Sequence, residues 1–255
     1  MAEIYFSGQG IVYSIDRNPD GTINSKGFRD LGNVPSLQLT LETDVLEHKE
    51  SRTGNRLTDL RLVRERSATI TMTIESFTKE NLMALLYGTA TVDSGALVTG
   101  EAFPSGLVIG DTVALDHPLV DPAAAFTIED SAGSPLTLVE GTHYTVNKDS
   151  GIVTMLAVPG TQPYLATYTH EDKDVIQMFK STQVERFLRF SGLNTANSNR
   201  GVVVELYRVV FDPVSNFDLI NDELAQYELT GTVLYDSTRD LDASLGGFGR
   251  IIQAQ

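Results

Sequence analysis

Residues 36–77 read SLQLTLETDVL (36–46), EHKESRTGNRLTDLRLVRER (47–66) and SATITMTIESF (67–77), and they decide the fold class. In the first piece Leu37, Leu39 and Leu41 fall on one face. Ser36, Gln38, Thr40, Glu42 and Asp44 fall on the other. That is the period of a half-buried β-strand. In the third piece Ala68, Ile70, Met72 and Ile74 oppose Ser67, Thr69, Thr71, Thr73 and Glu75. Its β-branched residues suit a strand. The leucine and isoleucine faces are expected in the core. The period then changes in TKENLMALLYG (78–88): Thr78 can cap a helix, Glu80 sits in its first turn, Leu82, Leu85 and Leu86 form a stripe, and Gly88 can end it. The stripe reads as core packing.

The middle piece is of another kind. It holds six basic residues, Lys49, Arg52, Arg56, Arg61, Arg64 and Arg66, and four acidic ones, Glu47, Glu50, Asp59 and Glu65. It is too long for a tight turn and is expected as a loop. The residues leave two readings open: a solvated, mobile loop, or an arm that orders against an oppositely charged neighbour. The interleaved acids weaken a nucleic-acid reading.

Outward from there, Gln183–Ser191, Gly201–Asp212 and Tyr227–Asp236 read as three more strands. The composition of 191–201, SGLNTANSNRG, reads as a loop. Asn18-Pro19-Asp20-Gly21 is a turn signal. The last stretch, SLGGFGRIIQAQ, is expected to be mobile, or ordered only on assembly.

Charge divides the chain. It has 255 residues, 19 Lys+Arg against 34 Asp+Glu, and a formal net charge of −15. Residues 1–90 carry 10 basic and 12 acidic residues, 91–175 carry 2 and 12, and 176–255 carry 7 and 10. Six of the nine prolines also lie in 91–175. That third is therefore expected to be a separate, inserted unit, and 1–90 with 176–255 a discontinuous main domain. Within the insert LVIGDTVAL, AAFTIED, THYTVNKDSGIVTML and YLATYTH are short β runs, and Lys148-Asp149-Ser150-Gly151 is a hairpin signal. A small all-β domain is expected.

The acidic balance opposes counterion-releasing nucleic-acid binding and attachment to anionic membranes. With no cysteine, disulfides, thiol nucleophiles and Cys-type metal sites are excluded. The N-terminal MAEIYFSGQG has neither a basic nor an apolar leader segment, and no run is long and apolar enough to span a bilayer. The histidines at 48, 117, 143 and 170 have no metal-ligand spacing, and there is no G-x-S-x-G elbow or phosphate loop. Gly246-Gly247-Phe248-Gly249 follows no strand and opens no helix. Acidic pairs such as Glu171/Asp172 and Asp116/Asp121 read as solvated charges. The residues therefore give no ground for an enzyme, a cofactor or a metal site.

A family resemblance rests on Gly27-Phe28, Leu31-Gly32-Asn33-Val34, the strand through Glu42, Glu47-His48-Lys49-Glu50 with Arg52 and Gly54, the Thr-rich strand, and Phe77-Thr78 with Glu80-Asn81-Leu82. Phe190-Ser191-Gly192-Leu193-Asn194, VVVELYRVVFDP and a final strand ending YD extend it. These segments resemble the major tail tube protein of long, flexible-tailed (siphovirus-type) bacteriophages, over residues 1–90 and 176–255. The middle resembles the accessory β insertions that some of these proteins carry.

The resemblance implies a mainly β fold, a β-sandwich or barrel-forming tube domain with one short flanking helix. It also implies a hexameric ring that stacks into the conduit for genome delivery. Ser36, Gln38, Thr40, Glu42, Asp44, Ser67, Thr69, Thr71, Thr73 and Glu75 would then face the lumen. Glu47, Lys49, Glu50, Arg52, Gly54, Arg56, Asp59, Arg61, Arg64 and Glu65 would reach a neighbouring ring. The implied partners are further copies of the chain and other tail proteins (tape measure, tail terminator, distal tail), with DNA only as passing cargo. The implied place is the virion tail, after assembly in the host cytoplasm. A tube-end or secretion-tube protein would share this architecture. The alternative reading is an acidic β-rich carbohydrate- or host-binding module.

Overall fold

A computed structural model describes residues 5–18, 20–23, 27–52, 54–240 and 245–254. The chain forms two compact units, Met1–Thr89 with Ile176–Gln255, and Ala90–Val175. From the N-terminus come β1 (Gly8–Asp16), β2 (Arg29–Asp30), β3 (Ser36–Lys49), β4 (Thr58–Ile74) and the helix α1 (Lys79–Leu85). Next are β5 (Thr89–Asp93), β6 (Leu97–Ala102), β7 (Thr112–Ala114), β8 (Thr127–Glu129), β9 (Tyr144–Asn147), β10 (Ile152–Met155), β11 (Leu165–Thr169) and β12 (Lys173–Gln177). The chain ends with β13 (Glu185–Asn194), β14 (Arg200–Phe211), β15 (Tyr227–Val233), the four-residue helix α2 (Ser237–Asp240) and β16 (Gly249–Gln253). The fold is mainly β. It has two short helices among the described residues where one was expected.

The first unit is one eight-stranded sheet ordered β2-β1-β13-β14-β15-β4-β3, with β16 added to β14. Its neighbouring strands run antiparallel. The free edge of β14 is shared by two strands. β15 takes Val209–Phe211 and β16 takes Val202–Leu206. The segment expected to be mobile is therefore a ladder strand, because it supplies the hydrogen-bonding groups that β14 lacks once β15 turns away to β4. Its ends at Ser244 and Gln255 lie outside the described residues. Ser191–Asn194 and Arg200–Gly201, read as loop from composition, belong to β13 and β14. Only 195–199 connect them, with Ser198 and Asn199 at positive φ.

The core of this unit includes Val12, Ala68, Ile70, Met72, Ile74, Leu188, Leu206, Val209 and Leu229, closed by Leu82, Leu85 and Leu86 of the helix segment. Thr78 caps α1 by accepting from the Asn81 N–H at 3.3 Å. Asn81 is itself buried and donates through Nδ2 to Leu31 O and Ser76 O. The ring of Phe190 occupies the room left where Gly10 faces Gly192 across β1 and β13: a Cβ on Gly192 would lie 2.2 Å from that ring. Near the far end of β1 a buried guanidinium, Arg17, donates to Asp236 Oδ2 and to Tyr207 O, both at 2.7 Å. The turn at Asn18 is closed by the Gly21 N–H to Asn18 O; Pro19 lies outside the described residues.

The second unit holds two three-stranded sheets, β7-β10-β9 and β6-β11-β8. They share one core that includes Phe103, Ile128, Tyr144, Val153, Met155, Tyr164 and Tyr168. The β9–β10 hairpin turns at Lys148–Gly151, where Gly151 takes φ +66°. β5 and β12 pair with each other as a two-stranded ribbon.

Candidate functional site

The first unit presents three unusual surfaces. The first is a polar sheet face. β3 and β4 pair Ser36 with Thr73, Gln38 with Thr71, Thr40 with Thr69 and Glu42 with Ser67. Directly opposed residues in an antiparallel pair point to the same side, so these polar side chains share one face. β15 extends it with Glu228 opposite Thr73, Thr230 opposite Thr71 and Thr232 opposite Thr69. This extension was not foreseen, although YELTGTV alternates as cleanly as its neighbours. No lysine or arginine occupies any of these positions. Asp44 sits opposite Glu65 at the end of this register, before a bulge. Glu75 lies beyond the last ladder pair and is held by Gln226 Nε2 at 2.8 Å and by Asn33 Nδ2.

The second surface is the reverse side of β3. Leu37, Leu39 and Leu41 were expected in the core. Leu37 is half-buried, whereas Leu39 is 37% and Leu41 72% exposed. The reason is topological: β3 is the last strand of the sheet, and nothing in the described chain covers the end of its apolar face. Leu39 and Leu41 instead line an open groove of about 440 Å³ with Val204, Leu206, Phe248 and Ile251.

The third surface is the arm. Residues 47–66 are not a loop. β3 and β4 continue past the bulge at Asp44/Val45, pairing Val45 with Val63, Leu46 with Leu62, Glu47 with Arg61, His48 with Leu60 and Lys49 with Thr58. Only 50–57 connect them, closed by the Glu50 N–H to Leu57 O at 2.8 Å. The alternation was masked because the polar positions here are charged rather than hydroxylic. Leu46, Leu60, Leu62 and Val63 are each about half exposed and Leu57 more so.

The charged positions expected to reach a neighbour are distributed along this hairpin. Glu47 lies 3.8 Å from Arg61, Arg64 lies 3.9 Å from Asp44, and Asp59 meets His48 at 2.6 Å. The two arginine–carboxylate contacts pair within the arm itself, as exposed ion pairs of small energy, and Asp59 with His48 adds a side-chain hydrogen-bond contact. Lys49 and Glu65 sit on the paired strands. Glu50 accepts from the Arg52 N–H in the connection, where Gly54 and Arg56 take positive φ. Thr53 lies outside the described residues.

In the second unit Asp93, His117 and His170 converge, each offering a ligand atom within 4.8 Å of the others. Sequence reasoning found no such cluster. The three residues are separated by a strand-rich path, and only the folded insert brings them together. No helix among the described residues is long and apolar enough to cross a membrane.

Residues 5–252 match the family described as "Protein of unknown function UCP028589". No curated protein matches the chain.

Proposed function

The chain belongs to that family over nearly its whole length, and we propose that it is a structural subunit whose copies assemble into stacked rings forming a tube, as the resemblance to phage major tail tube proteins implies. The observation that carries this reading is the arm: a two-stranded hairpin with apolar side chains on both faces, of which Leu46, Leu60, Leu62 and Val63 are each about half exposed. An isolated hairpin is marginal in water, and exposed apolar surface of this kind marks an interaction site. The uncovered Leu39/Leu41 groove, on the last strand of the sheet, adds a second surface that a neighbouring copy would bury. An edge strand of 14 residues without proline is also open to pairing with a further chain. In a closed ring the polar face of β3, β4 and β15 would line the bore. Hydroxyls and carboxylates there give passing phosphates no cation to hold. On this reading the protein is not an enzyme, and its place is the tail of a virion.

Electron microscopy of the purified chain at high concentration tests the proposal. Rings or tubes are expected. Leu46→Ser with Leu62→Ser should abolish them while leaving the circular dichroism spectrum and the melting temperature of the free subunit unchanged, because both side chains are already half exposed. A wild-type chain that stays monomeric at every concentration, or a doubly substituted chain that assembles as well as wild type, would overturn it.

A further inference from the structure

The insert carries chemistry that a tube does not require. His117 and His170 stack ring on ring, with centroids 4.5 Å apart and planes 9° from parallel. Asp93 Oδ2 lies 3.4 Å from His117 Nδ1. His170 is almost wholly buried, while Asp93 and His117 are half-buried. The backbone around the cluster is held: the His170 N–H donates to Ala96 O at 3.1 Å, the His117 N–H to the Tyr168 hydroxyl at 3.2 Å, and the Gly95 N–H to Asp172 Oδ1 at 2.6 Å.

The tautomer of His170 follows from its neighbour. Its Nδ1 lies 3.1 Å from the carbonyl oxygen of Glu171. A carbonyl can only accept, so this nitrogen carries a proton, and in the neutral ring the lone pair lies on Nε2. That is how a ligating histidine is fixed elsewhere, through a hydrogen bond from its other ring nitrogen. One cation already touches the cluster. Lys173 Nζ is 3.3 Å from Asp93 Oδ2 and 3.2 Å from Pro118 O. Burial works against the Asp93 charge, but the bonds from Lys173 and His117 outweigh it and hold the carboxyl below its usual range.

We propose that Asp93, His117 and His170 form a binding site for a divalent transition-metal ion of the zinc class. Two imidazoles and one carboxylate suit zinc, nickel or copper, and not calcium or magnesium, which take oxygen ligands. Three protein ligands leave a fourth position for water or for a group from a partner. The ion would displace the Lys173 ammonium from Asp93 and turn one imidazole out of the stack, because a ring nitrogen's lone pair lies in the ring plane and two rings 9° from parallel cannot both aim at one ion; the lysine thus acts as a competitor that tunes affinity.

Zinc titration of the chelator-stripped full chain by calorimetry tests this. One ion per chain is expected. His117→Gln should weaken binding by at least about tenfold, the lower end of what even outer-sphere partners of a metal contribute. Because His117 is half exposed, that variant should keep its fold, which circular dichroism checks. Lys173→Met should bind zinc more tightly. His48→Gln and His143→Gln, outside the cluster, should bind as wild type does. Absence of zinc uptake by the wild-type chain, or wild-type affinity in His117→Gln, would overturn the assignment. These outcomes are independent of whether tubes form.

Discussion

Asp236 is the residue whose ionisation the main unit depends on most visibly. Its side chain is nearly inaccessible and so is that of its partner Arg17. Burial raises its carboxyl pKa, yet hydrogen bonds from Thr238 and Arg17 outweigh this and lower it from 3.8 to about 2. A carboxylate held low in the folded state contributes its full stability above the unfolded value, and loses it as pH falls through the folded one. The wild-type chain should therefore lose stability as pH drops from 3.8 towards about 2. Asp236→Asn should lack that component and, at neutral pH, be less stable by about 2 kcal/mol, since the buried Arg17 then keeps only Tyr207 O and the more distant Glu185 carboxylate. Urea melts at a series of pH values measure both. At the same scale the sheet faces can be read by thiol chemistry, as there is no native cysteine. Thr69 is exposed and Ile70 only 2% exposed, so a maleimide should label Thr69→Cys in the folded chain and spare Ile70→Cys. Labelling of the second and protection of the first would mean the faces are exchanged.

Among the elements, β16 shows how a short strand can hold a sheet together. Arg250 reaches from it to Glu205 at 2.8 Å, and Arg189 from β13 reaches the same buried carboxylate at 3.2 Å. Truncating the chain after Phe248 removes one of these cations and bares the edge of Val202–Leu206 that faces away from β13. It should cost about 2–3 kcal/mol, read as a lower urea midpoint, with a greater tendency to associate through the bared edge.

Such elements differ in how plainly the sequence announced them. β3, β4, β15 and α1 were legible because one strong period governs each. The arm was hidden because its charged side chains mimic a solvated loop, although Val45, Val63, Leu46 and Leu62 carry the signal of two facing strands. β16 was hidden by Gly249 at its start and by Gly246 and Gly247 just before it. Its place depends on an edge that exists only because β15 and β14 part company, which is a property of the assembled sheet. The edge position of β3 is also a matter of topology, so the exposure of Leu41 could not be read from alternation. His117 and His170 are 53 positions apart in the chain, and no spacing rule connects them.

At the scale of the whole molecule, the 90–175 unit has its own core, drawn wholly from its own residues. Joining Thr89 to Ile176 through a short Gly/Ser link should leave a main unit that melts cooperatively. The isolated 90–175 segment should give its own folded spectrum and retain the zinc response. Circular dichroism and calorimetry on the two pieces check this. An unfolded main unit would mean that the insert is required for its folding.

The Thr89 hydroxyl meets Gln177 Oε1 at 2.9 Å, so the chain leaves the main unit and re-enters it through neighbouring points. A connection of that geometry is indifferent to what it carries, provided the two ends of the passenger lie close together. The position is thus a splice point at which an antigen, an enzyme or a fluorescent domain could replace the native insert. If the subunits do stack, the passenger would be repeated at every subunit along a filament, at a density fixed by the lattice and not by chemical coupling.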